Sequence, residues 1–199
     1  MSAPARSLVS LVVISAGVGD SCPTRLLADQ IAESVCWALT AGGVRAEVEV
    51  LELRRLAADL VQHSTQGHAT PDLREAVAAV AAADGLVVAT PVAVASPRDV
   101  FESFLGVLDD GVLSGVPVLL AAASDTRWQP PGIEQAMRDR LTCLRTEPVR
   151  TVVVAGPEDW DGSAAGGWRR LRERIDQAAA ELAAALVRIR IQLERKRGH

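Results

Sequence analysis

The chain has 199 residues, a formal net charge of −4 and a hydrophobic content of 49%. This is enough apolar material for a single domain over residues 1–199 with a sizeable core, and it excludes a disordered chain. The acidic balance argues against nucleic-acid binding, and no apolar stretch reaches the ~18 residues of a membrane span. The amino terminus lacks a basic start before its first apolar run, so we predict a cytoplasmic protein. Neither its three unevenly spaced cysteines nor its three histidines form a metal-binding pattern.

The first patterned segment is residues 7–15, whose apolar run over residues 8–14 is interrupted only by Ser10. Its β-branched residues predict a strand buried on both faces, as in a parallel sheet. A loop of small and hydroxyl residues follows, from Ser15 to Thr24, and a helix begins directly after it. Because a helix N-terminus presents free N–H groups and the positive end of its dipole, the loop predicts a phosphate site. The alternative is a plain turn in which Thr24 only caps the helix.

Strands and helices alternate along the rest of the chain. Strict alternation of Glu and Val over residues 47–50 predicts an edge strand, and residues 63–70 are predicted to form a polar loop. The other predicted elements are helices over 23–40, 72–83, 98–109, 133–144 and 168–197, and apolar strands over 85–90, 116–123 and 149–155. This order predicts an α/β doubly wound fold: a three-layer flavodoxin-like sandwich with a five-stranded parallel sheet in the order 2-1-3-4-5.

In such a sheet the ligand lies beyond the carboxyl ends of the strands, near the switch between the first and third strands. Three loops that are far apart in sequence are therefore expected to converge there. They are residues 15–24, 90–96 and 123–128.

These loops and their flanking segments resemble the NADPH-dependent FMN reductases, particularly those of actinobacterial type. The resemblance rests on ISAG followed by CPTRLLADQIAESV, then VLELRRLAADL, AAADGLVVATPVAVASPRDVFESFLGVLD, GVPVLLAAA and GPEDW. It covers roughly residues 8–160. It implies FMN and NADPH as cofactors, hydride transfer from NAD(P)H to FMN, and a monooxygenase as one partner that would receive reduced flavin.

The resemblance also implies a set of cofactor-binding residues in each of the three loops. The first loop would bind the FMN phosphate through Ser15, Ser21, Cys22 and Thr24. The second would line the isoalloxazine ring through Thr90, Pro91, Val92, Ala93 and Ser96. The third would close over the ring through Ser124, Asp125 and Thr126. No catalytic nucleophile or general base is required, because the cofactor carries the reaction.

Three features depart from the family pattern. Ala93 stands where an aromatic residue is usual, Glu102 stands where a lysine is usual, and residues 123–128 lack the usual glycines. They favour an alternative, a flavodoxin-like subunit without flavin that acts as a structural or regulatory partner through its terminal helix.

The predicted terminal helix, residues 168–197, carries apolar residues at three- and four-residue spacing, with a second stripe at Val187 and Ile191. At ~1.5 Å per residue it would span about 45 Å, more than the ~30 Å across a small domain. We therefore expect its distal part to project or to contact another subunit, in a homo-oligomer or with a related chain. Alternatively, its basic end is a solvated tail or a contact for anionic surfaces.

Overall fold

The computed structural model describes residues 8–17, 23–92, 100–124, 126, 132–160 and 166–197. The strands are β1 (Leu8–Ser15), β2 (Arg45–Glu52), β3 (Gly85–Pro91), β4 (Pro117–Ala123), β5 (Glu147–Pro148) and β6 (Val153–Ala155). The helices are α1 (Pro23–Ala41), α2 (Ala57–Gln66), α3 (Pro71–Ala82), α4 (Val100–Leu105), α5 (Ile133–Cys143), α6 (Pro157–Trp160) and α7 (Gly167–Arg197). A short 3₁₀ helix, Leu53–Leu56, joins β2 to α2.

All strand pairs of the sheet are parallel, and their order is β2-β1-β3-β4, with β5 and β6 both pairing with β4. This confirms the predicted flavodoxin-like order. The acidic second strand lies at the edge, where its outward-facing glutamates stay exposed to water. The carboxyl ends of β1, β3, β4 and β6 therefore lie along one edge of the sheet, which we call the carboxyl edge.

The strand β1 shows why a continuous apolar run is needed in the middle of this sheet. Val9, Leu11 and Val13 belong to one core cluster, which α1 and α7 cover. Val12 and Ile14 belong to a second cluster on the opposite face, which α2 to α5 cover. Alternate side chains of a strand point to opposite faces, so a strand between two helical layers must be apolar at both sets of positions.

The predicted polar loop over residues 63–70 is wrong in its first half, because α2 continues to Gln66. Leu56 and Leu60 are buried at helical spacing and anchor this segment to the second core. Gly67 ends the helix in the left-handed conformation, with φ of 72°. Thr70 caps the next helix, since its hydroxyl accepts a hydrogen bond from the backbone amide of Leu73.

Two other predicted elements are shorter than expected. The helix predicted over residues 98–109 ends at Leu105 as α4, and turns occupy residues 106–115, where Gly111 has φ of 79°. The strand predicted over residues 149–155 is divided into β5 and β6. Between them, the carbonyl oxygens of Val149 and Arg150 accept hydrogen bonds from the guanidinium of Arg138, a side chain of α5.

The terminal helix α7 has 31 residues and would be about 46 Å long. Its inner stripe is buried as far as Leu186, which confirms the predicted apolar face. Arg190 donates to the carbonyl oxygen of Leu8, the first residue of β1, so residues 191–197 follow the point where the helix reaches the amino-terminal edge of the sheet. In the described ranges, no helix combines the length and the apolar character needed to cross a bilayer.

Candidate functional site at the carboxyl edge

Backbone hydrogen bonds join the strand ends at the carboxyl edge into one connected rim. The amide of Ala16 donates to the carbonyl oxygen of Ala89 at 2.9 Å. After β3, the amide of Val92 donates to the carbonyl oxygen of Ala123 at 2.8 Å. After β4, the amide of Ser124 donates to the carbonyl oxygen of Ala155 at 2.8 Å. The starts of the predicted loops are therefore held side by side, as the topology required.

The first loop contributes two fully buried hydroxyl residues to this rim. Ser15 is the last residue of β1, and Thr24 is the second residue of α1. The first amides of a helix have no acceptor within the helix, so the start of α1 combines hydroxyl and N–H donors. Ser21 and Cys22, which were predicted to share this site, lie outside the described residues.

The second loop begins with Thr90, Pro91 and Val92, which are half-buried where β3 ends. Because the Val92 amide is bonded to β4, the backbone leaves the sheet from a fixed position. Ala93 and Ser96, the other predicted residues of this loop, lie outside the described part of the chain.

The third loop begins at Ser124, whose buried hydroxyl closes a local turn. Its Oγ donates to the carbonyl oxygen of Thr126 at 2.6 Å and accepts from the Thr126 amide at 3.2 Å. Thr126 itself is exposed. The predicted residue between them, Asp125, is outside the described ranges. Ser124 therefore shapes this loop, and its hydroxyl also lies 3.4 Å from the Thr126 hydroxyl.

A charged cluster that the sequence analysis missed lies beside the first loop. Glu52 ends β2 directly opposite Ser15 in the sheet register, and only 13% of its side chain is exposed. Its carboxylate contacts three guanidinium groups, those of Arg25 at 2.9 Å, Arg54 at 3.0 Å and Arg55 at 3.0 Å. The hydrogen bond from Arg54 and the charges of the three arginines lower the pKa of Glu52, although partial burial opposes this effect.

The cluster was detectable in principle from the sequence. The segment Glu52-Leu53-Arg54-Arg55 follows directly on the predicted edge strand, so its charged groups had to lie at the same edge as the hydroxyl loop. Three arginines face Glu52, and Arg25 also pairs with Asp29. Guanidinium groups beside two buried hydroxyls are donors suited to an anionic ligand.

The loop after β6 is fixed to α7. The Asp159 carboxylate accepts from the Gly156 amide at 2.9 Å and lies 3.7 Å from the Arg174 guanidinium, which also donates to the carbonyl oxygen of Val154. The rings of Trp160 and Trp168 are 5.9 Å apart. This corner attaches the last strand end to the start of α7 and completes the rim.

The donor set at the rim fits a phosphate. Ser15 and Thr24 provide hydroxyls, the start of α1 provides amides, and Arg25 provides a nearby positive charge. Among the described residues, no cluster of histidine, cysteine and carboxylate side chains could bind a metal ion. The described rim is therefore suited to a phosphorylated ligand.

A model of the family described as NADPH-dependent FMN reductase matches residues 9–161, a range that runs from β1 to α6. The chain belongs to the NADPH-dependent FMN reductase family. The match includes every loop that meets at the carboxyl edge, and it confirms the resemblance found in the sequence. Family membership supports the conclusion that the chain is a flavin-dependent oxidoreductase.

Solved structures agree with this assignment. The X-ray structure of an oxidoreductase from Corynebacterium diphtheriae is 37% identical, covers 91% of this chain and 98% of that chain, and has a TM-score of 0.84. An apo NADH:FMN oxidoreductase is 21% identical over 86% of this chain and 88% of that chain, with a TM-score of 0.65. A WrbA-like flavodoxin from Agrobacterium tumefaciens is 17% identical over 90% and 97%, with a TM-score of 0.54. The last two show the fold alone.

No curated protein matches this chain.

Proposed function

We propose that this chain is an NAD(P)H-dependent FMN reductase that transfers a hydride from NAD(P)H to FMN and supplies reduced flavin, with a monooxygenase as one recipient. The observation that carries the proposal is the set of hydroxyls, amides and arginines at the end of β1 and the start of α1. Family membership supports flavin as the ligand of this edge.

In this proposal the FMN phosphate is bound by the first loop. Ser15 and Thr24 would donate hydroxyl hydrogen bonds to phosphate oxygens, and the start of α1 would donate amide hydrogen bonds. The cluster around Glu52 would keep Arg25 beside the phosphate, since Arg25 is held at 2.9 Å from that carboxylate. Ser21 and Cys22 remain predicted members of this loop.

The second and third loops would hold the flavin ring. Thr90, Pro91 and Val92 would border the ring and exclude water from one side, with Ala93 and Ser96 as further predicted contacts. Thr126, with Asp125, would offer polar groups from the third loop, whose shape depends on the turn closed by Ser124. When bound, FMN supplies the hydride-accepting chemistry. The protein's own residues bind and orient it.

The first test is a titration of the purified chain with FMN, followed by quenching of flavin fluorescence, together with NADPH consumption in the presence of FMN. We expect saturable quenching and FMN-dependent oxidation of NADPH. A colourless protein that neither quenches FMN nor oxidises NADPH would contradict the proposal. That result would favour the alternative function, a flavodoxin-like subunit without flavin that acts as a structural or regulatory partner.

The second test assigns the phosphate ligands. Replacing Ser15→Ala or Thr24→Val removes one hydrogen bond to a charged group, so we expect FMN affinity to fall roughly 10- to 100-fold. Ser34→Ala is the matched control, because Ser34 is also a buried serine but bonds to Asp176 between α1 and α7. Equal loss of affinity in all three variants would mean that they act through stability.

A further inference from the structure

Glu52 places a carboxylate next to the proposed phosphate site. It is the last residue of β2 and lies directly opposite Ser15 in the register of the two strands. Neighbouring strands are about 4.8 Å apart, so the backbones of these two residues are adjacent. Because like charges repel, a carboxylate at this position weakens phosphate binding unless its contacts compensate for the repulsion.

The first compensating contact is the one to Arg25, whose guanidinium is held by carboxylates on two sides. Its Nη1 lies 2.9 Å from Glu52, and its Nε donates to the two carboxylate oxygens of Asp29 at 2.8 Å and 3.0 Å. The Asp29 contact lies within one turn of α1, whereas the Glu52 contact joins α1 to β2. A free arginine side chain samples many rotamers. The two carboxylates therefore order the guanidinium of Arg25, the residue after Thr24, before any ligand binds.

Two further arginines offset the charge of Glu52. Arg54 donates to one oxygen of its carboxylate at 3.0 Å, and Arg55 lies 3.0 Å from the other oxygen. The hydrogen bond from Arg54 and the charges of the surrounding guanidinium groups lower the pKa of Glu52, against the effect of partial burial. Glu52 is therefore ionised at neutral pH and holds Arg25, while Arg54 and Arg55 reduce its repulsion of a nearby phosphate.

We propose that Glu52 is a positioning residue that holds the Arg25 guanidinium toward the FMN phosphate and so makes the site select phosphorylated flavin over riboflavin. This inference rests on the proposed function and deepens it, because it assigns the selection of the phosphorylated substrate to one ion pair. Riboflavin has no phosphate, so its binding does not depend on how Arg25 is ordered. A carboxylate that acted only through its negative charge would have the opposite effect, since removing it would strengthen FMN binding.

The experiment is a fluorescence titration of the full chain with FMN and, separately, with riboflavin. Glu52→Gln keeps the size of the side chain and removes its charge, so it should raise the dissociation constant of FMN about tenfold. The dissociation constant of riboflavin should not change. In NADPH oxidation, the KM for FMN should rise and the kcat at saturating FMN should stay the same, because Glu52 does not touch the flavin ring.

A double-mutant cycle tests whether Glu52 acts through Arg25. Arg25→Gln should weaken FMN binding about as much as Glu52→Gln does, and the double variant should bind FMN no more weakly than Arg25→Gln alone. Glu49→Gln is the matched control, because Glu49 is an exposed glutamate of the same strand. It should change neither affinity. Circular dichroism checks that every variant is folded.

Four outcomes overturn the positioning role while FMN binding by the wild type stands. They are equal affinity of the wild type for both flavins, equal weakening of both flavins by Glu52→Gln, tighter FMN binding by Glu52→Gln, and losses that add in the double variant. A wild type that binds neither flavin contradicts the proposed function itself, and the positioning role with it. The two failures are therefore distinguishable.

Discussion

Two regions of this molecule invert the usual distribution of side chains. The carboxyl edge buries polar residues, among them Ser15, Thr24 and Ser124, whereas the outer surface of α1 and α7 exposes Trp37 and Ile191. Polar groups inside and large apolar groups outside are the informative exceptions in a folded protein. Each exception lowers stability unless something compensates for it.

The comparison shows how the two kinds of exception differ. At the carboxyl edge, part of the compensation comes from the chain itself, as in the turn that Ser124 closes with Thr126. On the outer surface of α1 and α7, the Trp37 side chain is 69% exposed and stays mostly in water. A buried polar group can therefore be compensated by bonds within one chain, whereas a largely exposed apolar side chain remains in contact with water in that chain.

The largest effect is expected where α7 packs inward. Leu182 is fully buried on the inner side of α7, so Leu182→Ala should lower the free energy of unfolding by about 3 kcal/mol through lost burial and a cavity. Trp37→Ser removes a larger side chain but should cost less than about 0.5 kcal/mol in the monomer, because that side chain is mostly in water. Denaturant unfolding at low protein concentration measures both. Similar losses in the two variants would mean that Trp37 is buried within the monomer.

A smaller effect is expected where α7 is attached to the sheet between the two regions. The Glu181 carboxylate accepts from the amide and the hydroxyl of Thr151, each at 2.8 Å. Burial opposes ionisation, but these bonds outweigh it and lower the pKa of Glu181 below its ordinary value of 4.5. Glu181→Gln should therefore cost about 1–2 kcal/mol at neutral pH.

The pH dependence of this variant gives a sharper test. A carboxyl group with a lowered pKa stabilises the folded state above its unfolded pKa, and this stabilisation is lost as the pH falls through the folded pKa. The difference in unfolding free energy between wild type and Glu181→Gln should therefore be constant near neutrality and shrink on acidification below about pH 4.5. A difference that grows on acidification would contradict the assigned role. Glu173→Gln, at an exposed position of the same helix, is the control at neutral pH.

The sequence predicted the sheet order because the central strands are apolar on both faces and the edge strand is not. The prediction was wrong where one local pattern was given more weight than another. Residues 63–66 were predicted as loop because they are polar, yet Leu56 and Leu60 have the helical spacing that fixes α2. The strand predicted at 149–155 is interrupted because Arg138 binds its backbone carbonyls, a tertiary contact that no local pattern contains.

For the candidate site, the topology predicted which loops meet but not how their side chains bond. Ser124 was predicted as a flavin contact from the family pattern, and its local turn with Thr126 depends on backbone geometry that the sequence does not specify. The arginine cluster on Glu52 was missed because Arg25 lies on a different element, 27 positions away. The contact between Arg25 and Glu52 can be predicted only when Ser15 and Glu52 are known to be neighbours in the sheet.

The smallest effect on stability, and the most specific one, is expected at the polar edge itself. Ser124→Ala removes a hydroxyl that both donates to and accepts from Thr126, so it should cost about 1 kcal/mol, because the freed groups of the exposed Thr126 can bind water. Ser114→Ala, at an exposed position before β4, should cost almost nothing. If the turn shapes the flavin site, FMN affinity will fall by more than the stability loss explains. An FMN affinity that stays unchanged in Ser124→Ala would mean that this turn does not shape the flavin site, because the carboxyl edge would then bind FMN without it.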